Sequence, residues 1–303
     1  MELELVDWLR KQQRQRPNVA LGIGDDMAVL RPISGQILLT SDMLLDGVHF
    51  NTQEQALERI GRKAIACSLS DCAAMAATPV AAVVSVALPE SMTLSQTKEL
   101  FGGMLRLADE FELAIVGGDT TRWRNPLVID VVITATVENG FEPVLRSGAM
   151  AGDTIWVSGP LGGSILGRHL SFTPRVREAI ELRRSLGSRL HAMMDISDGL
   201  SLDLWRMCQE SGCGAVLDEA KLDGVTSVDA RALSERDGRS ALDHVLSDGE
   251  DFELLLTIDS SGGADLDQFS IPLFSVGEIC ESGLSIRRRT GHVEPLEPKG
   301  FVH

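Results

Sequence analysis

The sequence predicts a two-domain protein of mixed α/β (α+β) architecture. Its 303 residues suffice for two domains of ordinary size, and a hydrophobic fraction of 44% supplies ample core. Apolar strand-like runs alternate irregularly with helical patterns in both halves of the chain. A stretch rich in turn-forming residues, 138–150, separates the halves, so we expect one domain over 1–140 and another over 148–303.

The first half carries three predicted helices and five predicted strands. Apolar residues recur at helical spacing over 2–14, 54–77 and 95–111, with Pro79 ending the second helix. Strands are predicted where apolar and β-branched residues run together: 27–30, 36–41, 80–88, 113–116 and 127–137.

The second half repeats this alternation. Strands are predicted over 154–158, 192–194, 215–217, 252–258 and 273–278. Helices are predicted directly after the glycine-rich loop 159–163, and over 175–187, 200–210 and 226–236.

Charge and composition exclude several classes of protein. A net charge of −16 and a pI near 4.8 argue against a nucleic-acid partner, which requires a basic surface. No apolar run approaches the roughly 20 residues that span a bilayer, and the acidic N-terminus resembles no targeting signal. We therefore expect a cytoplasmic protein without membrane contact. Five cysteines without a Cys-x-x-Cys pair indicate reduced, buried thiols and not a zinc site.

Seven aspartates occupy strand ends or apolar helices, where a chain usually avoids charge. They are Asp25, Asp26, Asp42, Asp71, Asp119, Asp195 and Asp198. Buried carboxylates are normally paired or bound to a metal, and Lys and Arg are scarce around these segments. Oxygen ligands in glycine-rich turns suit Mg²⁺ that carries a nucleotide polyphosphate. The pattern therefore predicts an enzyme that acts on a magnesium–nucleotide complex.

Asp71 is the most informative single position. It is the only acid or base between Ala64 and Pro79, and helical spacing places it on the apolar stripe that includes Ile60 and Cys67. A helix-internal aspartate bonded to neighbouring backbone is an equally good reading of this position alone. The other aspartates favour a metal ligand.

Each remaining motif also has an ordinary structural reading. Asp26 and Asp42 suit turns or caps, and His49 and Phe301 suit packed or surface positions. Gly117-Gly118-Asp119, which follows a predicted strand, is more specific, because diglycine amides approach phosphate closely. The segment 195–199 resembles a helix N-cap, and the opening of the helix predicted over 200–210 could also donate amides to phosphate.

No phosphate-binding loop, kinase catalytic loop or dinucleotide fingerprint is present in the sequence. The phosphate site must therefore be built chiefly from metals. Two or more Mg²⁺ ions that bridge phosphate oxygens would neutralise charge and align an in-line transfer.

Taken in order, six segments resemble the thiamine-monophosphate kinase family, in the superfamily of aminoimidazole ribonucleotide synthetase and selenophosphate synthetase. The segments are 22–26, 41–50, 69–77, 116–122, 195–200 and 249–254. The resemblance implies an N-terminal domain whose mixed sheet forms a barrel across a homodimer, and a C-terminal α/β domain. It also implies the reaction of ATP with thiamine monophosphate to give ADP and thiamine diphosphate.

The resemblance also implies residue roles. It assigns several Mg²⁺ ions to Asp26, Ser41, Asp42, Asp71, Asp119, Asp195 and Asp198. It assigns ATP contacts to Gly118, Asp119, Arg146 and Ser197. It assigns substrate contacts to His49 and Glu250, with Phe301 covering the thiamine.

The chain departs from the family pattern at four positions. Ser68 stands where Asn is common, Asp248 where Gly is usual, and Pro298 and Val302 where relatives often carry an aromatic residue and Asp.

Three alternative functions compete with the kinase: another enzyme of the superfamily, a non-catalytic nucleotide-binding regulator, and a structural acidic protein. No cysteine precedes Cys67, which argues against selenophosphate synthesis. The complete set of acidic positions argues against the regulator, and Asp71 against the structural protein.

Overall fold

A computed structural model describes residues 2–24, 27–32, 35–262 and 269–301. The chain divides into two compact units. The first unit comprises Met1–Cys72 and Ala77–Glu142, and the second comprises Ala73–Ala76 and Pro143–His303.

The first unit combines three helices with six strands in the described part of the chain. The helices are α1 (Glu2–Gln12), α2 (Leu57–Ala74) and α3 (Leu94–Glu110). The strands are β1 (Val19–Leu21), β2 (Val29–Leu30), β3 (Ile37–Leu45), β4 (Thr78–Pro89), β5 (Ala114–Trp123) and β6 (Val128–Thr136).

A four-stranded mixed sheet in the order β3-β6-β4-β5 forms the centre of this unit, and β1 pairs with β2 separately. Strands β4 and β5 are parallel, whereas β6 is antiparallel to both β3 and β4. One face of β6 is fully buried through Ile129, Val131 and Ile133. Ser68 of α2 donates to the carbonyl of Val131 at 3.3 Å, which places α2 on this buried face.

Two strands are longer than the sequence predicts, which moves two motifs from strand ends into the sheet. Strand β3 continues to Leu45, so Ser41 and Asp42 lie inside it and not at its end. Strand β5 continues through the diglycine to Trp123, paired with β4 beyond a bulge between Ala82 and Val83. The predicted ends were wrong because pairing with a long neighbouring strand outweighs the local turn preference of Gly and Asp.

The second unit contains five helices and seven strands among the described residues. The strands are β7 (Thr154–Val157), β8 (Leu190–Asp195), β9 (Gly214–Asp218), β10 (Leu254–Ile258), β11 (Phe274–Cys280), β12 (Leu284–Arg287) and β13 (Val293–Pro295). The helices are α4 (Val176–Leu186), α5 (Leu200–Ser211), α6 (Glu219–Val225), α7 (Val228–Asp237) and α8 (Ala241–Ser247).

These strands form one sheet in the order β13-β12-β9-β11-β7-β10-β8. Only the β12–β9 pair within it is parallel. Apolar side chains of β7, β8 and β10 pack with those of α5 in one buried cluster, which includes Ile155, Met194, Leu204 and Leu255. The loops that carry the predicted site residues of this unit extend from β8 and precede β10.

The helix predicted after the loop 159–163 is wrong. The structure forms two short 3₁₀ turns there, Ser164–Leu166 and Arg168–Leu170, separated by Gly167 with φ +134°. Helices α6 and α8 and strands β12 and β13 were not predicted, because each is too short to show a clear periodicity. All five cysteines are free thiols, as composition predicts, but Cys67, Cys213 and Cys280 are half-buried, whereas Cys72 and Cys208 are buried as expected. In the part of the chain that the structure describes, no helix has the length and apolar character needed to cross a bilayer.

Candidate active site

Two carboxylates of the first unit, Asp42 of β3 and Asp71 of α2, form the centre of the candidate site. Ser68 donates from Oγ to Asp42 Oδ2 at 2.7 Å, and Thr40 donates from its hydroxyl to Asp71. Even-numbered residues of β3 point toward α2, and Asp71 lies on the side of α2 that faces the strand. Strand and helix thus bring two acids and two hydroxyls to one place.

The electrostatics of this pair favour a cation. The pKa of Asp42 is raised to about 6. Burial is the main cause, the charges of Asp71 and Asp130 add to it, and the hydrogen bond from Ser68 acts in the opposite direction. The same two acids, together with burial, raise the pKa of the adjacent Cys72 thiol well above its ordinary value. Negative charge is therefore in excess here, and a divalent cation would relieve it.

Ser41 lies on the opposite face of β3 from Asp42. Its hydroxyl donates to Asp130 Oδ1 at 3.0 Å, because successive side chains of a strand alternate between the two faces of the sheet. The structure therefore does not bring the Ser41 hydroxyl to Asp42 and Asp71. Its role as a metal ligand stays a prediction that the side-chain geometry does not support.

Gly118 and Asp119 lie in β5 beside a cavity of about 500 Å³. Gly117, Gly118, Phe101 and Arg10 are among the residues that line it. A Cβ atom at Gly118 would lie 1.8 Å from the carbonyl oxygen of Val84, so only glycine fits at this position. Asp119 is exposed and accepts a hydrogen bond from the Thr120 amide at 2.9 Å.

His49 is fixed just beyond the end of β3. Its Nδ1 accepts from the Leu45 amide at 3.1 Å, and the buried ammonium group of Lys63 donates to the His49 carbonyl. Sequence analysis did not identify Lys63, although it follows Ile60 by three positions on the apolar stripe of α2. The lysine holds the loop that carries His49 against the helix.

In the second unit, backbone hydrogen bonds bring four predicted site residues together. The Glu250 amide donates to the Ser197 carbonyl at 2.7 Å, and the Phe301 amide donates to the Asp198 carbonyl at 2.9 Å. Gly300 makes this possible, because a Cβ atom there would lie 2.3 Å from the Asp198 carbonyl oxygen. Three distant segments of the sequence thus meet at one loop.

Asp203, in the first turn of α5, was missed by sequence analysis. One of its oxygens accepts from the amides of Ser197, Asp198 and Gly199 at 3.1, 3.0 and 3.2 Å. These three amides therefore have a carboxylate partner within the protein, and the donation of amides to phosphate by the opening of the following helix stays a prediction. The sequence did contain a signal for Asp203: an acidic residue that follows the predicted N-cap segment 195–199 by a few positions can accept hydrogen bonds from the amides of that segment.

Arg206 is the second residue that sequence analysis missed. It bonds to the carboxylate of Asp198, and its Nη1 also lies 2.9 Å from Asp203 Oδ1. The expectation that basic residues are scarce around these acids fails for Asp198, which already has an arginine partner. Burial raises the pKa of Asp203 to about 6, against the lowering effect of the Asp198 amide and of Arg206.

The loop that carries Glu250 has a strained backbone. Glu250 and Phe252 have φ of +52° and +51°, values that side chains other than glycine rarely adopt. Phe252 stacks on Phe172, with 4.1 Å between the ring centroids, and the Asp251 carboxylate accepts from Arg168 at 2.6 Å. Such strain persists only where the surroundings hold it, and it is concentrated at functional sites.

The structure also accounts for the departure at Asp248. Its carboxylate accepts from the Gly163 amide at 2.9 Å, lies 2.8 Å from Nδ1 of His244, and pairs with Arg239 at 3.2 Å. The extra acid is therefore a structural anchor at the end of α8. Its side chain is held by these partners.

The other predicted residues lie as follows. Asp195 is buried at the end of β8, paired with Leu254 in the sheet. Arg146 is exposed, and the preceding carbonyl of Leu145 accepts from the Met193 amide of β8 at 2.9 Å. Asp26 lies outside the described residues.

The donors present fit Mg²⁺, since carboxylate and hydroxyl oxygens are its preferred protein ligands. Within the described ranges, no three His, Cys, Asp or Glu side chains lie close enough to form a metal centre. Asp42 and Asp71 provide two carboxylates, and waters and nucleotide phosphates would have to supply the remaining oxygen ligands of such an ion.

Comparison with known proteins places this arrangement in a class. Residues 24–137 match the family described as AIR synthase related protein, N-terminal domain, and residues 147–264 match its C-terminal domain. The two-unit fold, with Asp42 and Asp119 in the two outer strands of its four-stranded sheet, is thus that of an AIR synthase related protein. Within that class, a thiamine-monophosphate kinase is 41% identical over the whole of this chain. The chain therefore belongs to the thiamine-monophosphate kinase family, which confirms the resemblance that its motifs predict.

Sequence relatives support that assignment over the whole chain. The thiamine-monophosphate kinase of Rhodopirellula baltica is 41% identical over 100% of this chain and 97% of its own length. That of Escherichia coli O157:H7 is 31% identical over 99% of this chain and 96% of its own length.

Solved structures agree with the fold. The thiamine-monophosphate kinase of Stenotrophomonas maltophilia K279a superposes with a TM-score of 0.80 at 33% identity, over 93% of this chain and 95% of its own. AaThiL complexed with AMPPCP and TMP gives 0.77 at 28% identity, over 99% and 96%. The hydrogenase maturation protein HypE of E. coli also reaches 0.80, but at 20% identity this likeness shows the fold alone.

Proposed function

We propose that the protein transfers the γ-phosphoryl group of ATP to thiamine monophosphate, giving thiamine diphosphate and ADP. The observation that carries the proposal is the Asp42–Asp71 pair, whose excess negative charge suits Mg²⁺ bound to nucleotide phosphates. Relatives named thiamine-monophosphate kinase support the choice of acceptor, and AaThiL was solved with both AMPPCP and TMP.

The nucleotide fits the cavity beside β5. At about 500 Å³, the cavity is large enough for an adenosine group, and its walls include apolar side chains such as Phe101 and Ile115. Because Gly117 and Gly118 carry no side chains, their backbone atoms are accessible at the edge of this cavity. Arg10 is the basic side chain among its lining residues and suits an anionic group.

Mg²⁺ would be held by Asp42 and Asp71 in the first unit, and by Asp195 and Asp198 in the second. The family resemblance adds Asp119 and Asp26, and Arg146 and Ser197 as ATP contacts. When bound, the ions neutralise phosphate charge and favour an in-line displacement. Arg206 is expected to hold the Asp198 carboxylate in a fixed position for this role.

The acceptor is itself a phosphate, so the reaction requires no strong general base at neutral pH. The chain's task is to hold two anionic groups in line while water is excluded. Glu250, fixed by its strained backbone, suits the cationic thiazolium ring of thiamine. His49 is proposed as a second substrate contact and Phe301 as a cover for the thiamine.

We further propose that the first unit forms a homodimer through the outer face of its sheet. Ile37, Leu39 and Met43 of β3 expose 63%, 72% and 57% of their surface, and Val83 of β4 exposes 40%. Contiguous apolar patches of this kind mark association surfaces, and β3 is also an unpaired edge of the four-stranded sheet.

The activity is tested by separating the products of Mg-ATP and thiamine monophosphate by chromatography. Formation of thiamine diphosphate by the native chain, and its loss in Asp71→Asn, supports the proposal. Asp109→Asn is the matched control, since Asp109 is a carboxylate of the same unit paired with Arg14 and Arg16. Equal product formation by both variants would overturn the assignment of Asp71.

A further inference from the structure

One carboxylate of the second unit has no part in the proposed chemistry, yet its hydrogen bonds organise the site loop. Asp203 is completely buried. A single oxygen of this side chain collects the amides of three consecutive residues, 197–199. Three amides that converge on one anion fix the orientation of the peptide planes between them.

The other oxygen of Asp203 fixes a side chain. Arg206 Nη1 lies 2.9 Å from Asp203 Oδ1, and the same nitrogen bonds to the Asp198 carboxylate. The backbone and the carboxylate of Asp198 are therefore both held through Asp203, one directly and the other through the guanidinium group.

The carbonyls of the same loop face two other segments. Ser197 accepts from the Glu250 amide and Asp198 accepts from the Phe301 amide. Since the amides of a peptide point opposite to its carbonyls, the bonds to Asp203 set the direction of these acceptors. A change at Asp203 is thus transmitted to Glu250 and Phe301 through the backbone of residues 197–199.

We propose that Asp203 is a positioning residue that couples the nucleotide-side residues Ser197 and Asp198 to the acceptor-side residues Glu250 and Phe301. The expected effect of Asp203 on the kinetics rests on the proposed function. The geometric coupling between the loop segments is independent of that function.

The test compares Asp203→Asn with the native full-length protein by amide hydrogen exchange and by kinetics. Asparagine is neutral and has a single acceptor oxygen, so it cannot accept from the amides of 197–199 and from Arg206 at the same time, and it holds these amides more weakly than a carboxylate does. We expect exchange at the amides of 197–199, and also of Glu250 and Phe301, to accelerate at least about tenfold. We expect kcat/KM to fall by about tenfold to a hundredfold for both substrates, with kcat carrying most of the loss.

Asp218→Asn is the matched control. Asp218 caps α6 by accepting from the amides of Ala220 and Lys221 at 2.9 and 3.3 Å, so the same change is made at a comparable carboxylate of the same unit. Since asparagine caps a helix about as well as aspartate, this variant should leave stability, exchange at Glu250 and Phe301 and the kinetic constants unchanged. If Asp203→Asn unfolds, Arg206→Met is the second variant, since it removes the guanidinium group and leaves the amide bonds of Asp203 in place.

For Arg206→Met we expect a higher Mg²⁺ requirement and unchanged exchange at 197–199. Folded Asp203→Asn with native exchange at Glu250 and Phe301 would overturn the coupling. Native kcat/KM in that variant would overturn the positioning role. Native protein that binds Mg-ATP but does not turn over thiamine monophosphate contradicts the proposed function alone, and the exchange data then decide the coupling.

Discussion

The hydroxyl of Ser68 in α2 donates a hydrogen bond to the carboxylate of Asp42 in β3, with 2.7 Å between Oγ and Oδ2. This contact accounts for the departure from the family pattern, in which Asn is common at the position of Ser68. Either side chain offers a donor to the acid across the helix–strand contact. The hydrogen bond stabilises the charged form of Asp42 and so favours cation binding.

Ser68→Ala should raise the Mg²⁺ concentration for half-maximal activity by about tenfold, equivalent to about 1.4 kcal/mol. The reason is that Asp42 loses the donor that lowers its pKa. Titration of initial rates with MgCl₂ at fixed ATP measures the effect. Ser68→Cys, nearly the same shape with a weak donor, is the control and should give an intermediate value. An unchanged Mg²⁺ requirement in Ser68→Ala would contradict the role of this contact.

Without Mg²⁺, the free energy of unfolding should fall as pH rises from about 4 to about 6. Burial and Asp71 raise the pKa of Asp42 from 3.8 to about 6, so in this window the folded chain keeps a proton that the unfolded chain releases. Because a single proton is involved, the free energy of unfolding changes by at most about 1.4 kcal/mol per pH unit. Urea denaturation at several pH values measures it, with Asp42→Asn as reference for the other carboxylates. Equal pH profiles for both proteins would show that Asp42 is not perturbed.

Asp71→Asn should reduce kcat/KM by a factor of about 100 or more, because a ligand of the metal clamp is lost. The same change should stabilise the protein in the absence of Mg²⁺, since it removes the negative charge that raises the pKa of Asp42. Steady-state kinetics and thermal unfolding with EDTA measure the two effects. A variant that loses activity and stability together would indicate a structural role for Asp71 and not a metal-binding one.

Leu39→Glu should prevent formation of the proposed homodimer, because it places a charge in the exposed apolar face of β3. Sedimentation analysis of the purified proteins measures the mass. Val228→Glu is the control: Val228 of α7 is 83% exposed and belongs to the second unit. A native protein that sediments as a monomer, or a Leu39→Glu protein that stays dimeric, would contradict the proposed interface.

Sequence alone predicted the family and most of the long elements, because these depend on motif order and on periodicity over many residues. It placed Asp42 and Asp119 at strand ends, whereas both lie within strands. The pairing partner of a strand decides where the strand ends, and no local pattern in β3 or β5 shows that partner.

The contacts that support the site were the least predictable part. Ser68 meets Asp42 only because α2 packs on β3, and Asp203 meets residues 197–199 only because the loop folds back onto α5. Arg206 was visible in the sequence three positions after Asp203, at helical spacing, but its second bond to Asp198 depends on the same fold of the loop.

The central claim is tested most directly by ADP release from Mg-ATP with thiamine monophosphate, with thiamine and an aminoimidazole ribonucleotide precursor as control acceptors. The account predicts turnover with the monophosphate alone, and its abolition by EDTA. Turnover with a control acceptor in place of the monophosphate, or turnover that survives EDTA, would contradict the assignment of substrate or of metal respectively.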